Sequence, residues 1–359
     1  MKAFFFWENG RGLSIRGRSN PYAGLLARAL QKHQIHLDEG MYKFDREWLD
    51  RGREDHDVLH LHWLHGFYRT EDLQSTIKKC NRFFDNLTYA RSDLGYRIVW
   101  TLHNFYPHER PFPEVDHIAR LYVSQQADSV ITHCNYAAEV CRKHFFFKEN
   151  VNIIPHGNFI DVFPNNVSKN QAREKLGIAP EVFVYLFFGN ARTYKGIDVL
   201  IKAFRKMDPD NAILLLMMRS SFNTDYADEL RNLAGNDPRV NVHTSDFFPE
   251  NEFQFFLNSA DVVVIPFSEV LTSGSTIAAL GFGKPVILPA RGCLPELIDE
   301  TMGILFDPDT NNSLPTAMQE IRTRDIKAAG RAARACAESL NWENIANRHA
   351  AIYKGQSAS

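Results

Sequence analysis

The sequence predicts an α/β protein made of two Rossmann-like, doubly wound domains. Three observations carry this reading. Short apolar runs rich in β-branched and aromatic residues alternate with helical stretches along the chain, the pattern of parallel sheets covered by helices on both faces. A polar segment from Asp161 to Lys169, with Pro164, Asn165 and Asn166, divides the pattern near its middle. Turns rich in Gly, Ser and Thr follow several of the strands, where α/β proteins bind ligands. At 359 residues the chain is too long for one simple core and suits two domains of roughly 150–200 residues.

In the first half, strands are expected over Ala3–Trp7, Asp57–Trp63, Arg97–His103, Ala127–Thr132 and Val151–Pro155. Helices are expected from Asn20-Pro21 to Lys32, from Tyr68 to Arg91 and from Tyr136 to His144, with Pro21 at the first turn of its helix. In the second half, strands are expected over Val182–Phe188, Ala212–Met217, Val240–His243, Val262–Ile265, Val286–Leu288 and Gly303–Leu305. Ala317 to Ser339 reads as one helical stretch and Trp342 to Tyr353 as a last helix. Two such domains joined by one linker imply a ligand cleft between two sets of strand ends.

The composition excludes several classes. A 44% apolar and 23% charged content is that of a soluble globular protein, and a net charge of −2 does not suit a nucleic-acid binder. Five cysteines, odd in number and without C-x-x-C spacing, read as reduced thiols of a cytoplasmic protein. No signal peptide is visible, and no apolar run approaches the ~20 residues needed to span a bilayer.

Four stretches carry candidate chemistry. The first is the loop after the first strand, with Gly10, Gly12, Gly17, Arg11, Arg16 and Arg18, whose glycines and arginines suit a phosphorylated ligand. The second is Gly189 to Asp198, where a strand leads through a glycine turn to Arg192, Lys195 and a helix; two cations there can neutralise a diphosphate. The third is Thr272-Ser273-Gly274-Ser275-Thr276, a hydroxyl-rich helix start after a buried strand, which is a ready anion site. The fourth is the loop after the Arg97–His103 strand, with His103, Asn104, His108 and Glu109.

The run from Gly189 to Phe204 (G-x-x-x-x-x-K-G-I-D-V-L-I-x-A-F) resembles the donor-phosphate loop of family 4 glycosyltransferases, which have the two-domain GT-B fold. Val151 to Gly157, Gly283 to Ile287, and Asn341-Trp342-Glu343 through Tyr353 resemble further segments of that family in the same order. The resemblance implies domains at 1–164 (acceptor) and 165–340 (donor), with 341–359 crossing back onto the first. It implies a sugar moved from a GDP- or UDP-sugar, with retention, to a saccharide or polyprenyl-linked acceptor, and no essential metal or other cofactor. Arg192, Lys195 and Ser273 to Thr276 fall on positions that meet the donor diphosphate. Leu271, Thr272 and Asp246 to Phe248 fall on those that meet the donor sugar and base; Phe247 or Phe248 could stack on the base. His103 falls on the histidine that faces the transferred sugar. The family carries a pair of glutamates in the 270s region. The second position, which holds the donor ribose, is Ala278 here, and the first is Val270, with Glu269 beside it.

Among the histidines, a metal site is weighed for His60, His62, His65, His103 and His108 and set below a polar acceptor pocket, in which His103, Asn104, His108 and Glu109 bind sugar hydroxyls. In an inverting reaction Glu109 or a histidine is the base; in a retaining one His103 shields the donor sugar. His133 and His156 are read as structural. The basic-aromatic segments Ile77–Phe84 and Cys141–Lys148 suggest peripheral contact with the inner face of a membrane. Two rivals stand beside the transferase: a nucleotide-sugar 2-epimerase, and a non-catalytic nucleotide-sugar-binding subunit.

Overall fold

A computed structural model describes residues 1–7, 12–17, 20–147, 151–207, 209–221 and 223–356. The chain divides into two compact units, one of residues 1–157 with 341–359 and the other of residues 158–340.

The first unit holds a six-stranded parallel sheet. Its strands are β1 (Lys2–Phe6), β2 (His36–Glu39), β3 (Val58–Leu61), β4 (Arg97–Thr101), β5 (Ser129–Thr132) and β6 (Val151–Ile153), in the order β2-β1-β3-β4-β5-β6. The central strands are buried on both faces, which is why they read as continuous apolar runs. The edge strand β2 has no such run: His36-Leu37-Asp38-Glu39 is part exposed, and the apolar pattern does not reveal it. Around the sheet lie α1 (Tyr22–Gln31), α2 (Arg46–Arg53), α3 (His65–Tyr68), α4 (Leu73–Ser92), α5 (Pro113–Gln126) and α6 (Asn135–His144). The expected helix from Tyr68 to Arg91 starts instead at Leu73, because Asp72 caps it by accepting from the Ser75 amide. The C-terminal helix of the chain (Trp342–Tyr353) packs in this unit: Ile345, Ala346, Ala350, Ile352 and Tyr353 join the core of Ala3, Phe5, Tyr22 and Leu26.

The second unit repeats the architecture. Its strands are β7 (Phe183–Asn190), β8 (Ala212–Arg219), β9 (Val240–Ser245), β10 (Val262–Val264), β11 (Val286–Pro289) and β12 (Gly303–Phe306), ordered β12-β11-β10-β7-β8-β9 and all parallel. The order reverses between β7 and β10, which makes the carboxyl ends of these two strands the topological switch point, where open α/β sheets hold ligands. Its helices are α7 (Lys169–Leu176), α8 (Ile197–Met207), α9 (Thr224–Ala234), α10 (Glu250–Ser259), α11 (Gly274–Gly281), α12 (Leu294–Leu297), α13 (Ser313–Glu320) and α14 (Ile326–Ser339), and the final Trp342–Tyr353 helix of the first unit is α15. The expected single helix from Ala317 to Ser339 is divided at Asp325, whose carboxylate accepts from the Lys327 and Ala328 amides and restarts the helix. Free thiols stand at Cys80, Cys141 and Cys336; the expectation of five does not extend to Cys134 and Cys293.

Candidate functional site

The second unit brings its candidate residues to the switch point. After β7, Arg192 leads a single 3-10 turn (Thr193–Lys195), and Gly196 closes it at φ 66° before α8. Glycine is required there, since a Cβ would stand 2.2 Å from the Pro266 carbonyl oxygen. The turn thus aims Lys195 back across the end of the sheet. Its ammonium is buried, donates to Ser275 Oγ at 3.2 Å, and lies 5.9 Å from the ring centroids of both Phe187 and Phe267. Burial, with the like charge of Arg192, lowers its pKa to about 8.

Ser275 belongs to the first turn of α11. Ser273 caps this helix by accepting from the Thr276 amide at 3.1 Å, and Thr276 Oγ1 is buried with no partner among the described residues. The preceding backbone is fixed by Gly292, at φ 58°, whose absent Cβ lets it lie against the Val270 and Leu271 carbonyls; the Cys293 amide donates to Leu271 O at 2.8 Å. Leu271 is buried and Thr272 half-buried, whereas Glu269 is exposed. Ala278 is buried within α11.

At the ends of β8 and β9, Asp246 is exposed and accepts from Ser220 Oγ at 2.9 Å. Phe247 is half-buried with the Arg219 guanidinium 5.8 Å from its ring centroid. Phe248 is buried against Phe256, which withdraws it from stacking on a ligand. Arg219, the last residue of β8, was not among the residues singled out from sequence. Its register opposite Asn190 and Ser245 places it at the same strand-end edge.

The first unit assembles a different site. Gly10, Arg11 and Arg18 lie outside the described residues. Gly12 takes φ 65°, and Arg16 is exposed on a turn where its amide donates to Ser14 Oγ at 3.2 Å. A histidine follows each of β3, β4 and β5. His62 Nδ1 lies 2.8 Å from His103 Nε2, His103 Nδ1 lies 3.1 Å from His133 Nε2, and His133 Nδ1 lies 2.8 Å from the Ile154 carbonyl oxygen. All three are buried. Burial holds the His62 and His103 pKa values well below the usual range and that of His133 at about 4, so the rings are neutral near pH 7. His133, read as structural, is therefore a direct partner of His103, and both ring nitrogens of His103 are engaged. His60 faces inward, between the Tyr353 hydroxyl at 2.5 Å and Thr101 Oγ1 at 2.7 Å, and ties α15 to the sheet. Asn104 is half-buried; His108 and Glu109 are exposed. Their loop is held by Arg120, which donates to the Phe105 carbonyl and to the Asp116 carbonyl, and by Tyr106, 2.8 Å from His117 Nδ1. Among the described residues, no group of three or more His, Cys, Asp or Glu side chains is arranged to hold a metal ion.

The family described as glycosyl transferases group 1 matches residues 182–323, the stretch that carries Arg192, Lys195 and the α11 turn. The D-inositol 3-phosphate glycosyltransferase of Corynebacterium kroppenstedtii is 26% identical over 261 residues, covering 68% of this chain and 57% of that protein. The GDP-mannose:glycolipid 4-beta-D-mannosyltransferase of Xanthomonas campestris pv. campestris is 23% identical over 309 residues, covering 83% of this chain and 79% of that protein. Sucrose-phosphate synthase of Thermosynechococcus elongatus superposes with a TM-score of 0.75 at 19% identity, covering 99% of this chain and 98% of that one. Anabaena HepE in complex with UDP-glucose superposes with a TM-score of 0.72 at 17% identity, over 99% and 100% of the two chains. Residues 182–323 thus match the group 1 glycosyl transferases, and the likeness to these solved structures shows a shared two-domain α/β fold.

The family match falls in the second unit, on the stretch that carries the strongest sequence signal. It leaves the histidine row of the first unit outside the matched stretch. A signal for the row exists in the sequence: one histidine stands immediately past, or two residues past, the end of three adjacent parallel strands.

Proposed function

We propose that the protein transfers a hexose from a GDP- or UDP-sugar to a saccharide or lipid-linked saccharide acceptor, with the donor held by the second unit and the acceptor by the first. The observation that carries this is Lys195. A buried ammonium that meets a hydroxyl, with no carboxylate paired to it among the described residues, is costly to keep unless an anion completes it. Ser275, which meets Lys195, lies in the first turn of α11, where the helix dipole favours an anion. A diphosphate supplies the missing charge, with Arg192 as a second cation and Phe247 with Arg219 beside the base.

Retention of anomeric configuration is supported by the first unit. His103 is not placed to take a proton from an acceptor, because both of its ring nitrogens are engaged by His62 and His133. His103 then shields the donor sugar. Glu109 is the base that an inverting reaction would use. No cofactor or metal enters this scheme. Peripheral membrane contact is supported by Ile77 and Phe146, both exposed beside basic residues of α4 and α6, while Phe83, Phe145 and Phe147 turn into the core. Among the described residues no helix is long and apolar enough to cross a membrane.

The buried Ala278 and exposed Glu269 favour, as a second reading, a subunit that binds nucleotide sugar without turning it over. A panel of UDP- and GDP-sugars, assayed for nucleotide release with and without saccharide and lipid-linked acceptors, separates the two. Acceptor-dependent release supports transfer. Tight binding with no release on any acceptor supports the binding subunit and removes the transferase.

A further inference from the structure

We propose that His62 Nε2 is a binding site for one hydroxyl-sized O–H group in the first unit, and that His133 positions it by fixing the tautomers of His103 and His62. The argument starts from the Ile154 carbonyl, which can only accept. His133 must therefore carry its proton on Nδ1, 2.8 Å away. In a neutral ring that leaves Nε2 as an acceptor, so His103 donates to it from Nδ1. His103 Nε2 is then bare and accepts from His62 Nδ1–H. The row ends on a bare His62 Nε2, buried and without a partner among the described residues.

The surroundings define what can sit there. His62 lines a small cavity of about 10 Å³ with Trp63, His65, Asn104, Tyr106 and Arg120. That volume is close to the least that holds one water-sized group. The occupant must donate, because His62 Nε2 has only a lone pair. The same ring cluster holds two buried polar groups without partners, Trp7 Nε1–H and the Tyr22 hydroxyl. Their ring centroids lie 5.1 and 6.2 Å from that of His62. A small neutral donor satisfies His62 Nε2. A carbonyl cannot donate to it, and an ammonium would meet the Arg120 guanidinium that lines the same cavity. The chemistry is that of a hydroxyl, from water or from a saccharide. Only the saccharide source rests on the reading of the first unit as the acceptor side.

The test is a long-range ¹H–¹⁵N correlation spectrum of ¹⁵N-histidine-labelled full-length protein at pH 7, with and without methyl α-mannoside. It needs no turnover, so its outcome is independent of whether sugar is transferred. The expected spectrum shows His62, His103 and His133 as Nδ1–H tautomers, with the His62 Nε2 signal moved upfield by an accepted hydrogen bond. That shift in sugar-free buffer, with cross-relaxation to water, identifies water; a shift that appears only with the mannoside identifies a saccharide hydroxyl. A protonated His62 Nε2, or a free lone pair under both conditions, overturns the site. His133→Leu is expected to mix the tautomers of His103 and His62, and unchanged tautomers would remove the positioning role. His133→Gln, which can still donate to Ile154 and accept from His103, is expected to keep the wild-type tautomers. Their loss in that variant overturns the same role even if His133→Leu does not fold.

Discussion

The carboxyl ends of the two sheets solve opposite electrostatic problems. In the second unit a buried ammonium, Lys195, meets the Ser275 hydroxyl in the first turn of α11. In the first unit three neutral imidazoles satisfy one another and a backbone carbonyl. The same parallel architecture thus holds one edge short of negative charge and the other uncharged. The difference teaches where each kind of ligand belongs: an anion completes the first arrangement, whereas a hydroxyl fits the second without disturbing its charge.

The largest expected effect breaks this contrast from the second unit. Lys195→Met should lower UDP or GDP affinity about 10- to 100-fold, the worth of a charge-assisted hydrogen bond of roughly 1.5–3 kcal/mol. It should not lower thermal stability, because the lost group is one whose burial disfavours its charge. An unchanged Kd in a nucleotide titration would remove the phosphate assignment. The reverse pattern is expected from the first unit. His103→Leu strands donor and acceptor groups of His62 and His133 in the interior, so chemical denaturation should report a loss of about 1–3 kcal/mol, with nucleotide affinity unchanged.

The two edges also separate on the pH axis. His133 is held at about 4 against an ordinary 6.5, so an unfolded chain binds its proton first. Stability should fall as pH drops below 6.5 and continue to fall towards 4. Lys195 is held at about 8 against 10.5. The unfolded chain again binds more protons between these values, and stability should rise with pH across that window. Denaturation midpoints of wild type and Lys195→Met, compared from pH 8 to 10.5, check the second sign: the rise should be smaller in the variant. The smallest effect is at the base. Phe247→Ala should weaken nucleotide binding only a few-fold, the scale of one aromatic contact at about 0.5–1.5 kcal/mol. A loss as large as that of Lys195→Met would mean that the stack, not the charge, holds the nucleotide.

Most of the fold was legible because strands buried on both faces must be continuous apolar runs, as Val58–Leu61 and Val262–Val264 are. The edge strand His36–Glu39 escaped that rule, since half of its pattern faces water. Asp72 and Asp325 cap α4 and α14 from inside longer helical patterns, so periodicity alone runs through both breaks. In the site, Gly189 to Gly196 could be read because turn, cations and helix start are contiguous in sequence. The histidine row could not be read the same way. Its members are 41 and 30 residues apart and meet only through the register of three parallel strands. The bareness of His62 Nε2 depends further on a carbonyl at Ile154 that no side-chain pattern announces.

The most direct test of the nucleotide-diphosphate assignment is calorimetric titration of UDP and GDP at pH 9 in buffers of different ionisation enthalpy. With Lys195 at about 8 in the free protein, a bound diphosphate should restore its charge and take up a proton, and this uptake should vanish in Lys195→Met. Binding with no proton uptake in the wild type, or equal uptake in the variant, would contradict the account.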